Sequence, residues 1–85
     1  MINVIYLSWL PSRIGKSEEL VEKTESLNSV QDLINSLLKK GEGYETVFSQ
    51  MEFLKVAVNQ QLIEDFSHVI TDNDRVTFFS PLAGG

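Results

Sequence analysis

The sequence predicts an α+β domain, a mixed sheet with one main helix laid on one face. Three observations carry this expectation. The two ends of the chain, residues 2–9 and 75–80, are runs of β-branched and aromatic residues of the kind that form strands. Between them lies a segment with a clear helical apolar period. The chain has 85 residues, 42% hydrophobic and 22% charged, which is enough apolar content for one core and too little length for two.

Taken in order, residues 2–9 are apolar on both faces, so this strand belongs in the middle of the sheet or keeps its second face for another surface. Pro11, Ser12 and Gly15 mark a turn region. Residues 18–25 read as a weaker strand in which Leu20 and Val21 sit among four glutamates, a charge load that suits an exposed edge. Val30, Leu33, Ile34, Leu37 and Leu38 then recur at helical spacing with only polar residues between them. Asn28 or Ser29 can cap that helix, with Gln31 or Asp32 closing a capping box. Lys39 and Lys40 favour its negative end, and Gly41 is read as its left-handed stop.

Tyr44, Val47, Phe48 and Met51 repeat the helical spacing over a shorter stretch. Residues 54–58 read as a strand, followed by a turn at Asn59-Gln60-Gln61 and a brief pairing segment at Leu62-Ile63. Asp72-Asn73-Asp74 is a turn before the final strand. Strand alternation and the helix stripe together predict a core of Val4, Tyr6, Leu33, Leu37, Val56, Val58, Val76 and Phe78. The same alternation sends Ile5, Leu7, Thr77 and Phe79 to the opposite face.

Several function classes are disfavoured. There is no cysteine, hence no disulfide framework, thiolate zinc site or cysteine nucleophile. His68 is the lone histidine and reads as a surface or hydrogen-bonded residue. Twelve acidic against seven basic residues give a charge of −5, contrary to the basic footprint that nucleic-acid binding requires. No apolar run is long enough to span a bilayer, so the expected compartment is the cytoplasm. Glu18, Glu19, Glu22 and Glu25 read as a solvated cluster. The Asp72/Asp74 pair lacks the glycine and distal glutamate of a calcium loop, and Gly41 and Gly43 do not form a phosphate loop. The interior offers no catalytic constellation.

The end of the sequence is different. A firm strand reaches Phe79, then Ser80-Pro81-Leu82-Ala83-Gly84-Gly85 follows, small and free of charged side chains. A final glycine pair arises by chance in roughly 0.5% of chains. Glycine permits close backbone approach, and five extended residues reach at most about 18 Å, enough to carry a carboxylate into a narrow channel. The expected organisation is therefore a domain over 1–80 and an extended tail over 81–85.

With Ile2-Asn3-Val4-Ile5-Tyr6-Leu7, Gly15, the helix at 30–38, Val56-Ala57-Val58-Asn59-Gln60 and above all residues 72–85, the chain resembles the ubiquitin-like MoaD/ThiS family of sulfur carriers. Within it the resemblance favours the MoaD branch, the small subunit of molybdopterin synthase, because of the length and the Phe78-Phe79-Ser80-Pro81 ending. The resemblance implies a β-grasp fold and a carrier cycle. A MoeB-like adenylyltransferase, related to ubiquitin-activating enzymes, adenylates Gly85. The carboxylate becomes a thiocarboxylate, and its sulfur passes to cyclic pyranopterin monophosphate in a MoaE-like large subunit, in a heterotetramer. Gly84 and Gly85 are the reacting end, and Ile5, Leu7, Phe79, Pro81, Leu82 and Ala83 are the expected partner-binding residues. No cofactor is expected on this chain; ATP, magnesium and zinc belong to the activating partner. The alternatives are a ThiS-like carrier for thiamine thiazole synthesis and a ubiquitin-like modifier or interaction domain. Where the family often has an arginine before the glycine matching Gly15, this chain has Pro11, and its nearest arginine is Arg13.

Overall fold

Strand β1 (Ile2–Tyr6) alternates buried and half-buried residues, with Ile2, Val4 and Tyr6 turned to the core. In the computed structural model, which describes residues 1–81, this strand is flanked on both sides. β2 (Glu18–Val21) pairs with it antiparallel, and β5 (Arg75–Phe79) pairs with it parallel. On the far side of β5 lie β3 (Lys55–Val58) and then β4 (Gln61–Ile63), both antiparallel to their neighbours. The sheet order is β2-β1-β5-β3-β4, mixed as expected. Its registers set Glu19, Val4, Val76 and Val58 in one inward row, with Tyr6, Phe78, Val56 and Ile63 in the next.

Helix α2, after α1 (Leu10–Ile14), spans Val30–Leu38 and buries Val30, Leu33, Ile34 and Leu37. Its start is a full capping box. The Asp32 N–H donates to Ser29 Oγ at 3.1 Å, and the Ser29 N–H donates to the Asp32 carboxylate at 3.2 Å. α3 (Glu42–Phe48) packs beside α2 and α1, and its Phe48 ring meets Phe78 edge-on with centroids 5.0 Å apart. A single 3₁₀ turn, Met51–Phe53, leads into β3. All eight predicted core residues are buried, none more than 5% exposed. The architecture is the β-grasp arrangement of the α+β class.

Four local readings change. Residues 10–14 form α1 rather than a turn. Pro11 presets the first helical turn, Leu10 is buried, and Gly15 at φ +95° stops the helix. The strand expected over 18–25 ends at Val21, and the strand expected over 2–9 ends at Tyr6. Gly41 is no left-handed cap. With φ +154° and ψ −178° it adopts a conformation open essentially to glycine and starts α3. The Asn59-Gln60 pair, with φ of +50° and +73°, is the two-residue turn of the β3–β4 hairpin.

Candidate functional site

The end of β5 is held by a contact with the chain just after β1. The Leu7 N–H donates to the Phe78 carbonyl at 3.0 Å, continuing the β1–β5 ladder one residue beyond β1. Ser8 then turns left-handed, φ +61°, which is uncommon for serine. That turn brings its hydroxyl to the backbone of Ser80, 72 positions away. Ser8 Oγ donates to the Ser80 carbonyl at 3.0 Å and accepts the Ser80 N–H at 3.2 Å. Ser80 is buried, and Pro81 after it is exposed.

Around this root lies the sheet face that the helices leave open. Alternation places Glu18, Ile5, Thr77, Ala57 and Leu62 in one row across all five strands, and Leu20, Asn3 and Arg75 in the row beside it. Leu7, Leu20 and Leu62 are 49%, 60% and 62% exposed on this face. Ile5 and Phe79 are half-buried. α3 does not cover this face, because Phe48 contacts Tyr6 and Phe78 on the other side of the sheet. Phe79 and Pro81 also line a groove of about 400 Å³ with Leu54, Val56, Leu62, Ile63 and Phe66, edged by Lys55 and Glu64. Ile5, Leu7, Phe79 and Pro81 thus share the end of the sheet at which β5 finishes. Leu82, Ala83, Gly84 and Gly85 lie outside the described residues.

On the helix side sits a group that the sequence reading misplaced. The sequence groups Glu19 with solvated glutamates, yet its side chain is only 8% exposed. Tyr6 and Tyr44 both donate their hydroxyls to its Oε2, at 2.7 and 2.8 Å, while Lys40 and Lys16 stand 3.4 and 3.8 Å from Oε1. Burial pushes the Glu19 carboxyl up. The two tyrosine hydroxyls and the two lysines outweigh it and hold the group below the ordinary carboxylate value. Burial, then the bond to Glu19, drives the Tyr44 hydroxyl up to about 12 and raises Tyr6 as well. The signal for Glu19 was its phase: it stands opposite Val4, an inward residue. This cluster ties β1, β2, α3 and the end of α2 together.

Among the described residues no group of histidine, aspartate or glutamate is arranged to hold a metal ion. His68 is exposed, and its backbone carbonyl accepts the Val30 N–H. Asp74 accepts the Thr71 N–H and an Asn59 amide proton, as befits a turn. No helix among the described residues is long and apolar enough to cross a membrane.

A family model described as the ThiS family matches residues 4–85, nearly the whole chain and its glycine pair included. The chain belongs to the ThiS family. This is the ubiquitin-like sulfur-carrier family that the tail and terminal strands resemble. No curated protein matches the sequence. Among solved structures, the small archaeal modifier protein SAMP1 from Haloferax volcanii superposes with a TM-score of 0.78 at 15% identity, over 99% of this chain and 98% of that one. A complex of subunits 1 and 2 of molybdopterin-converting factor from Helicobacter pylori matches with a TM-score of 0.66 at 19% identity, over 99% and 97%. The thiamine biosynthesis protein ThiS from Geobacter metallireducens matches at 0.54 with 28% identity, over 98% and 99%. The fold is therefore shared by a chain named as a modifier, a subunit of molybdopterin-converting factor and a thiamine biosynthesis protein.

Proposed function

We propose that this chain is the sulfur-carrying small subunit of a molybdopterin synthase. Gly85 is adenylated by a MoeB-like enzyme that brings ATP, magnesium and zinc. A sulfur donor then displaces AMP to leave a thiocarboxylate. A MoaE-like large subunit receives the tail, and the sulfur passes to cyclic pyranopterin monophosphate. The observation that carries this reading is that the family match runs through the glycine pair, on a chain whose last strand delivers Pro81 to the rim of an open apolar face. The chemistry is sound: an acyl-adenylate provides a good leaving group, and a thiocarboxylate is a far softer nucleophile than a carboxylate. Ile5, Leu7, Phe79 and Pro81 supply the docking surface, with Leu82 and Ala83 in the partner's channel. The Helicobacter pylori neighbour is a complex of subunits 1 and 2 of molybdopterin-converting factor, which favours a two-protein assembly.

The test is intact-mass analysis of the chain purified from cells with its own sulfur machinery, where sulfur replaces one oxygen at Gly85. Deleting Gly85, or Gly84→Val, is expected to abolish sulfur transfer and leave the fold unchanged; full activity from either variant overturns the reading. A second reading, a protein modifier, is favoured by the likeness to SAMP1. It predicts a ladder of isopeptide conjugates in place of the thiocarboxylate. A ThiS-like role in thiazole synthesis predicts the thiocarboxylate without molybdopterin formation.

A further inference from the structure

We infer that Lys55 and Arg75 are the charged recognition residues of the open sheet face, and that the protein surface it receives is apolar and bears carboxylates. The inference rests on the reading of this chain as a small synthase subunit and names the chemistry of its contact with the large one. Lys55 on β3 stands opposite Phe79 and alternates with buried Val56, so it points to the open face. Arg75 begins β5 and alternates with buried Val76, which puts it on the same face. The two cations are roughly 13 Å apart along the strand direction, with Thr77 and Ala57 paired between them. Both are exposed.

Neither side chain is neutralised from within. Among the described residues the ion pairs are Met1–Asp72, Lys16–Glu19 and Lys40–Glu19. Asp74, next to Arg75 in sequence, accepts instead from Thr71 and Asn59. The three central strands β1, β5 and β3 carry these two cations and no carboxylate, in a chain whose formal charge is −5. The local sign is opposite to that of the whole.

The consequence is one of desolvation. A partner that covers Phe79 also covers Lys55, its cross-strand neighbour, and a cation taken from water without a counter-charge is strongly unfavourable. The central strands offer no carboxylate, so the counter-charges come from the partner. The chain as a whole repels an acidic surface while Lys55 and Arg75 attract it locally, and that contrast selects one docking orientation.

Titration calorimetry of the chain against the synthase large subunit of the same organism, at about 50 mM and about 500 mM salt, tests this. Lys55→Glu and Arg75→Glu are each expected to weaken binding about tenfold at low salt, with the circular dichroism spectrum unchanged. At high salt the loss should shrink to within about threefold. Lys39→Glu makes the same change in net charge at the exposed end of α2, on the other side of the sheet. It is expected to bind within about twofold of the original. Variants at Lys55 and Arg75 that bind as well as the original overturn the assignment, as does an equal loss in Lys39→Glu or a loss that salt does not reduce. Sedimentation of the chain alone covers the other occupant: a dimer that Arg75→Glu dissociates gives the face to a second copy and also overturns it. If the unaltered chain fails to bind the large subunit at either salt, the small-subunit reading itself falls and takes this inference with it, a result distinct from charge variants that bind normally.

Discussion

A methyl group on Gly43 would overlap the carbonyl oxygen of Arg13. α3 therefore crosses α1 at a distance that only a residue without a side chain allows, and the obstacle is backbone, which cannot swing aside. In an open helix, Gly→Ala gains about 1 kcal/mol. Here the sign reverses, and Gly43→Ala is expected to lose about 1–3 kcal/mol through overpacking. Urea unfolding measures it, and a midpoint at or above that of the original would mean that α1 moves freely.

The Glu19 cluster makes stability depend on pH at both ends of the scale. The folded carboxyl titrates below its ordinary value of 4.5, so in that range the unfolded chain binds more protons. Its contribution is complete above about pH 4.5 and is lost as pH falls through the folded value. Tyr44 behaves oppositely. Its hydroxyl is raised from 10.0 to about 12, so its contribution is complete below pH 10 and is lost as pH rises toward 12. Asp32, Asp65, Asp72 and Asp74 are also lowered and remain in a Glu19→Gln variant. The difference in stability between the two proteins should therefore shrink below pH 4.5. A difference that stays constant from pH 3 to 7 contradicts this account.

Leu37 is fully buried on the apolar stripe of α2. Leu37→Ala is expected to cost about 2–5 kcal/mol. A domain of this length holds roughly 4–13 kcal/mol in total, so part of the population unfolds. Thermal melting followed by circular dichroism reads the effect, and an unshifted melting temperature would move α2 off the sheet.

Phe79 alternates with the core residue Phe78 and lies half-buried on the groove beside Pro81. Phe79→Asp is expected to keep the circular dichroism spectrum and to weaken binding to both the large subunit and the activating enzyme by about tenfold or more. Titration calorimetry measures the affinity. A variant that unfolds assigns Phe79 to the core, and one that binds normally removes it from the interface.

Much of this molecule was legible because its periods are clean. β1, β5 and α2 alternate or repeat over enough residues to fix their faces, and the Ser29–Asp32 box marks a helix start by itself. α1 was not legible, since Leu10–Ile14 spans little more than one turn and its proline and serine speak equally for a loop. Glu19 was hidden by its neighbours: among Glu18, Glu22 and Glu25 a lone inward carboxylate looks like part of a charged edge. Its two tyrosine partners lie 13 and 25 positions away, a distance no local pattern reports. The Ser8–Ser80 contact was invisible for the same reason. At the site, alternation supplied the face of Ile5, Leu7 and Phe79, and the groove depends on Phe66, which no strand or helix period singled out.

The parallel pairing of β1 with β5 sets the order in which the chain acquires its structure. The two strands that meet at the middle of the sheet are almost the whole sequence apart, so its central ladder is its least local contact. Closing so long a loop slows folding relative to a helical bundle of equal size. Until β5 arrives, β1 and β3 each present an unpaired edge toward a gap one strand wide, the geometry that invites a strand from another molecule. Val76→Ala, on the strand that fills the gap, is expected to slow refolding in stopped-flow measurements at low protein concentration. An effect confined to the unfolding limb would place the docking of β5 after the barrier.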